Sequence, residues 1–388
     1  MNHNKAFIIV VVLLSASVSG YELYQRYNAE EEPRFQWPDK VDIPCNPDST
    51  EFDCEVYAQV SSTPVKSLQH PTNNEIWIAA LNGIIASWDG TTMTEIGNLS
   101  DVISNCHNEQ GLLGFEFTHD FSSSQEILLS YTENADCEGG SNLSGMVIAS
   151  VEVVDNKINM NSLVELRTIA KENRNHNGGN LHSLNDGTYL WSLGDGGGSS
   201  DPYGNAQNVH NPLGTIQYFS YGDKMIEPVF DNYGNDTDYV LHHGLRNPWK
   251  FDTDNQGRLW IADVGQYCFE EVNVVPMLTQ SNFGWSEREG MHIYDPSDDC
   301  SSPPDALTDS SLTDPIIEYP HVGGNCSITG GFWMDWGPNS LQNSYIYGDF
   351  CTGSIWQITE SSNGFESNYV TSVGTYICLL YTSDAADD

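Results

Sequence analysis

NHNGGNLHSLNDGTYLWSLGDGGG, residues 175–198, decides how this chain folds. It sets His176 in a glycine-rich turn and Asp195 in a second glycine turn nineteen residues later. Between them, Asn185-Asp186-Gly187 is a hairpin signal, and the run that follows, TYLWSL, has the β-branched and aromatic character of a strand. The segment therefore predicts strand, hairpin and strand, with both tips returning to one edge of a sheet. A carboxylate facing an imidazole there would fix the ring tautomer and raise its basicity. The plainer reading makes the two residues turn caps beside flexible glycines.

Working outward, an aliphatic-aromatic pair after a polar turn recurs at Ile76-Trp77, Leu190-Trp191, Leu259-Trp260 and Ile346-Tyr347. Uneven intervals between the pairs fit the blades of a β-propeller better than a solenoid, whose period would be constant. A β-sandwich stays open as the alternative. Propeller strands bury both faces between neighbouring blades, so their runs should be rich in aromatics and alternate only loosely. Residues 252–263 also mimic the ligand spacing of a helix-loop-helix calcium motif. Their flanks read as strands, so a hairpin turn is expected instead.

The 388 residues carry 54 Asp and Glu against 14 Lys and Arg, a formal charge of −40. Such an excess argues against nucleic-acid or anionic-membrane partners and suits a secreted protein of a salty habitat. Lys5, the apolar run of residues 6–14 and the small residues 15–20 predict a secretory signal peptide over 1–20, with an uncleaved anchor as the alternative. A proline-containing extension follows over 21–55, and the folded domain is expected over 56–377. The ending CLLYTSDAADD, residues 378–388, reads as translated sequencing adaptor, which would leave the last blade incomplete and the chain less stable than a full-length product. Setting Cys378 aside leaves eight cysteines, and neighbouring pairs are expected: 45 with 54, 106 with 137, 268 with 300 and 326 with 351.

Five segments together resemble the soluble quinoprotein sugar dehydrogenases, the glucose/sorbosone dehydrogenase family that includes the hedgehog-interacting proteins. They are EQGLLGFEFTHDF (109–121), the opening segment, HGLRNPWKFDTDNQGRLWIADVGQYCFEEVN (243–273), NFGWSEREG (282–290), and residues 327–358 with SITGGFW and YGDFCTGSIWQI. The resemblance implies a six-bladed β-propeller. It implies that His176 takes the proton of an aldose anomeric hydroxyl while hydride leaves that carbon for pyrroloquinoline quinone (PQQ), with Asp195 orienting the imidazole. Arg246 and Asn247 would lie at the quinone and substrate, and Glu109 in the same pocket. The carbonyls of Gly265 and Gln266 would hold the cofactor's calcium, and Glu271 a second, structural calcium. Electrons would pass to a soluble or membrane acceptor.

Three positions depart from the family pattern, because Asp335, Ser354 and Asn180 stand where basic residues are common. PQQ carries three carboxylates, so Asp335 beside it would repel it. The alternative reading is a non-catalytic propeller that binds carbohydrate or protein. A covalent-haem carrier is excluded, since CxxCH does not occur.

Overall fold

The computed structural model describes residues 58–381 apart from 61, 105, 135–144, 230–237, 298–299, 302–303, 305–308, 337 and 375, together with the backbone of Ile9–Val12. Strands dominate, and the α-helix of the described residues is the single turn Phe121–Ser124. Five antiparallel sheets follow one another along the chain, built from consecutive strands except in the fourth, where the separate pair Arg288–Glu289 and His292–Ile293 comes before the last strand. The first blade comprises Pro64–Gln69, Ile76–Ala80, Ile84–Trp88 and Met93–Asn98, and the second runs from Leu112–Phe117 to Lys157–Ile169. The third contains Leu181–Ser183, Thr188–Leu193, Thr215–Gly222 and Met225–Pro228, with Val240–His243 added beside Thr215–Gly222. Pro248–Thr253, Arg258–Asp263, Phe269–Pro276 and Ile317–Pro320 form the fourth, and Ile328–Met334, Ser344–Asp349, Ser354–Ser361 and Gly364–Ser372 the fifth.

The all-β propeller is thus borne out, but with five blades among the described residues in place of six. A single further strand, Ile377–Tyr381, packs against the innermost strands of the fifth and first blades. It pairs with Ile9–Val12 in a two-stranded sheet. Two strands at that place do not make a four-stranded blade.

The aliphatic-aromatic pairs mark the second strand of the first, third, fourth and fifth blades. Neighbouring residues of a strand face opposite sides, so each pair serves two cores at once. Trp191 packs into the core shared with the second blade, and Leu190 into the core shared with the fourth. Trp260 and Ile261 divide in the same way between the fifth and third blades. The second blade lacks the pair, because Glu126–Thr132 carries Ser130-Tyr131 there. Trp260 is fully buried, stacks on Tyr345 at 5.1 Å and meets Trp333 at 5.3 Å. Truncating Trp260 to alanine is expected to cost about 3–5 kcal/mol, read as a lower urea midpoint. A loss below about 1 kcal/mol would mean that this interface does not carry the ring.

Cys268–Cys300 and Cys326–Cys351 are bonded as expected. Cys106 is also disulfide-bonded. Its expected partner Cys137, the Cys45/Cys54 pair, and the signal and extension assignments lie outside the described residues, apart from the Ile9–Val12 backbone. Residues 252–263 form a hairpin, Pro248–Thr253 with Arg258–Asp263, as their strand-like flanks predict.

Candidate active site

Leu181–Ser183 pairs with Thr188–Leu193, so the turns before and after this hairpin meet at one end of the central tunnel. His176 Nδ1 lies 2.7 Å from Asp195 Oδ1. The His176 backbone is left-handed, with φ 53°, a strained setting for a non-glycine residue. Two contacts hold it there: Glu109 Oε2 accepts the His176 N–H at 2.8 Å, and the Asp195 carboxylate holds the ring. Behind the turn, Lys171 Nζ donates to the Asn175 carbonyl and to Asn177 Oδ1. Burial pulls the Lys171 ammonium down to about 7, against the pull of Glu109, Asp195 and Glu172. Gly194 permits the approach of the segments, since a Cβ there would lie 2.2 Å from the His176 carbonyl oxygen and 3.1 Å from that of Arg246.

Arg246 closes the cluster. Its Nη2 sits 2.9 Å from His176 Nε2, its Nη1 donates to the Val264 carbonyl, and its Nε and Nη2 both reach Gln266 Oε1 at 3.2 Å. A guanidinium can only donate. Nε2 must therefore present its lone pair, and Nδ1 must carry the proton given to Asp195. This is the tautomer a general base needs. Asp195 is almost wholly buried, and accepts two further N–H groups, Gly197 on Oδ1 at 2.8 Å and the Trp285 indole on Oδ2 at 2.9 Å.

His176 and Arg246 line a cavity of about 570 Å³ at the tunnel mouth. Glu109, Asn247, Gly265 and Gln266 line it too, so six of the eight predicted site residues share this cavity, with Asp195 directly behind His176. Glu271 does not. It lies with Asp263, Arg288 and Glu289 in a separate, smaller hollow behind Arg246. It is buried there rather than a solvated strand residue. Asp263 and Glu271 face each other across neighbouring strands, and burial pushes both carboxyls up. Asp263 also accepts the Arg246 and Asn247 N–H groups, which shapes the turn carrying the guanidinium.

The three departures from the family pattern all lie outside the cavity lining. Asp335 does not line the cavity; it is exposed and acts electrostatically on Asp252, farther along the tunnel. Ser354 is not in the lining either, and Asn180 turns to Lys66 and the Phe251 carbonyl. The repulsion argued from Asp335 therefore falls, because strand direction carries it away from the mouth. Arg246 is nevertheless the only Lys or Arg in the lining among the described residues.

Sequence reasoning missed Trp285, the Gln266 side chain and Glu289. Glu289 Oε1 accepts the N–H groups of Gln266, Tyr267 and Cys268 at 2.6–2.9 Å and so ties down the loop beside Arg246. Both Trp285 and Glu289 fall in NFGWSEREG, whose charged end was the available signal. Replacing Glu289 with alanine is expected to orphan these donors and cost about 2–4 kcal/mol, measured by thermal unfolding. An unchanged melting temperature would remove its role.

A blade scaffold with a histidine–carboxylate pair and a guanidinium at its tunnel mouth defines the class. The Glucose / Sorbosone dehydrogenase family matches residues 62–359, and the chain belongs to this family. Among curated proteins it is similar to the HIPL1 protein of Arabidopsis thaliana, 30% identical over 230 residues, and to the HIPL2 protein of the same plant, 29% over 226 residues. Each alignment covers 52% of this chain and 32% of the relative, so the chain matches about a third of the length of those proteins. In fold it is similar to the PQQ-bound aldose sugar dehydrogenase of Streptomyces coelicolor, with TM-score 0.62, 19% identity, and coverage of 82% of this chain and 83% of that one. The apo aldose sugar dehydrogenase of Escherichia coli gives TM-score 0.65 at 17% identity, covering 79% and 86%.

Proposed function

We propose that the chain is an exported quinoprotein-type oxidoreductase that oxidises an aldose at its anomeric carbon. The observation that carries this reading is the setting of the His176 ring, with Nδ1 against Asp195 and Nε2 toward the cavity beside Arg246, which puts the proton on the Asp195 side and the lone pair on the cavity side. His176 Nε2 takes the proton of the anomeric hydroxyl, and Asp195 stabilises the imidazolium so formed. Arg246 engages that lone pair. An anionic guest that draws the guanidinium onto itself frees the base, so Arg246 couples cofactor binding to base competence.

The residues present fit PQQ. The cavity has the room, Arg246 offers a fork for a carboxylate or a developing oxyanion, and Asn247 and Gln266 supply neutral polar groups. PQQ, when bound, supplies a two-electron acceptor for the substrate. Gly265 and Gln266 would offer carbonyl oxygens to its calcium, and Glu289 holds their loop in place. Glu271, with Asp263 beside it, would hold the second calcium, which offsets two carboxyls buried together. No cluster of three or more His, Cys, Asp or Glu side chains suited to a metal occurs among the described residues. Backbone oxygens would thus have to complete either site.

Export is supported by the bonded cysteines, since disulfides persist in oxidising compartments. No described helix is long and apolar enough to cross a membrane. A soluble or membrane acceptor would take the electrons onward. One observation favours the second reading, a non-catalytic carbohydrate- or protein-binding propeller: a tricarboxylate cofactor meets a single guanidinium in the lining.

Titrating the protein with PQQ and calcium, then adding a panel of aldoses, separates the two. Bleaching of the quinone absorbance by a sugar is the expected result. Failure to bind PQQ at saturating calcium would leave only the binding scaffold.

A further inference from the structure

Below the active-site cavity, the same innermost strands line a second compartment of about 170 Å³. Trp249 faces the upper cavity and Lys250 the lower, and Thr329 and Gly331 divide likewise on the fifth blade. The two spaces are thus stacked along one tunnel. Phe251, Phe332 and Trp333 make the lower one largely apolar, yet Lys66 and Lys250 both enter it.

The two cations differ in their surroundings. Lys66 Nζ donates to the Leu181 carbonyl at 2.9 Å and lies 3.8 Å from Glu116 Oε2. Lys250 is only 5% exposed, and its Nζ has no hydrogen-bond partner. Its near contact is the face of Trp249, 4.9 Å away. The nearby carboxylate Asp252 is engaged elsewhere, with Oδ1 accepting the Thr253 N–H and Oδ2 that of Trp333, each at 2.8 Å. His182 gives its Nε2 to Thr253 Oγ1 at 3.0 Å and lies 3.8 Å from Asp252 through Nδ1. A buried ammonium without a counter-charge is costly. Burial, with Lys66 adding to it, pushes the Lys250 ammonium well below the ordinary lysine range, a penalty that an anion would relieve.

We propose that the lower compartment binds a small monovalent anion, a halide or a short carboxylate, on Lys250 with Lys66 beside it. The formal charge of −40 opposes entry of any anion, so occupancy should require high salt. This site is independent of the quinone and of sugar oxidation.

Crystals of the whole chain soaked in sodium bromide should show an anomalous peak in contact with Lys250 Nζ. In solution, melting is compared at equal, high ionic strength in sodium bromide, chloride, acetate and gluconate, the last bulky and strongly hydrated. Bromide or chloride should raise the melting temperature over gluconate by about 2–4 °C. A rise in acetate with none in the halides identifies a carboxylate site. Lys250→Met should abolish the difference between salts, and Lys250→Gln serves if that variant does not fold. No bromide peak together with equal melting in all four salts, as for a neutral amine or water alone, overturns the proposal. So does a salt preference that survives in the Lys250 variant.

Discussion

Replacing His176 with glutamine is expected to lower kcat for aldose oxidation by about 10²–10⁴-fold while leaving PQQ affinity within a few-fold. Glutamine can still donate to Asp195 and fills much of the ring's space, so the turn and its left-handed backbone have little reason to change. It has no lone pair basic enough to take the hydroxyl proton. On the proposed reading quinone binding rests mainly on Arg246, whose bonds to Gln266 and Val264 the substitution leaves in place. The check is single-turnover kinetics on the reconstituted protein beside a direct titration of the cofactor. A kcat within tenfold of the parent would mean that another group removes the proton.

Asp195→Asn should damage both activity and stability. The parent carboxylate accepts three donors, the His176 Nδ1–H, the Gly197 N–H and the Trp285 indole N–H. An asparagine side chain keeps one acceptor oxygen and brings a donor to the other place. If its NH₂ faces Trp285, two donors meet and the indole loses its partner. If it faces His176, the ring must take its proton on Nε2, where Arg246 already donates. Either way a buried donor is left unpaired, at a cost of about 1–3 kcal/mol. The wrong tautomer should lower kcat by about 10³–10⁴-fold. Urea unfolding and steady-state rates together test this; a variant as stable and as fast as the parent would show that the carboxylate only caps a turn. His176→Gln, by contrast, should lose rate with little loss of stability, so the pair separates chemistry from scaffolding.

Much of the site was legible because its residues sit in short, turn-bounded motifs. The spacing of His176 and Asp195 predicted their meeting, since a tight hairpin brings both of its ends to one edge whatever surrounds it. The aliphatic-aromatic pairs located second strands for a similar reason, as a strand buried on both faces must be apolar at consecutive positions. Arg246 was legible as a site residue through its motif, but not through its partners. Its bonds to His176 Nε2 and Gln266 join segments from different blades, and no local pattern encodes them.

Reasoning by motif failed where direction along a strand mattered. Asp335 and Ser354 stand near motifs that do reach the tunnel mouth, yet the chain carries both out of the cavity lining. Glu271 was singled out only through the resemblance, as a structural calcium ligand, and it is the packing of Asp263 opposite it and Glu289 nearby that shows it to be buried. Lys250 gave no signal at all, because a lysine in a strand two residues before an aspartate reads as solvated charge.

By itself the sequence determined the all-β class, the hairpin that joins His176 to Asp195, and the family. These depend on local turn chemistry and on periodicity, which the chain carries within a few residues. Tertiary structure alone decided the five blades of the described residues, the imidazole tautomer, the place of Asp335 and the unpaired charge of Lys250. Each of those depends on which strands circle the tunnel and at what height, a matter of packing between segments far apart in the chain.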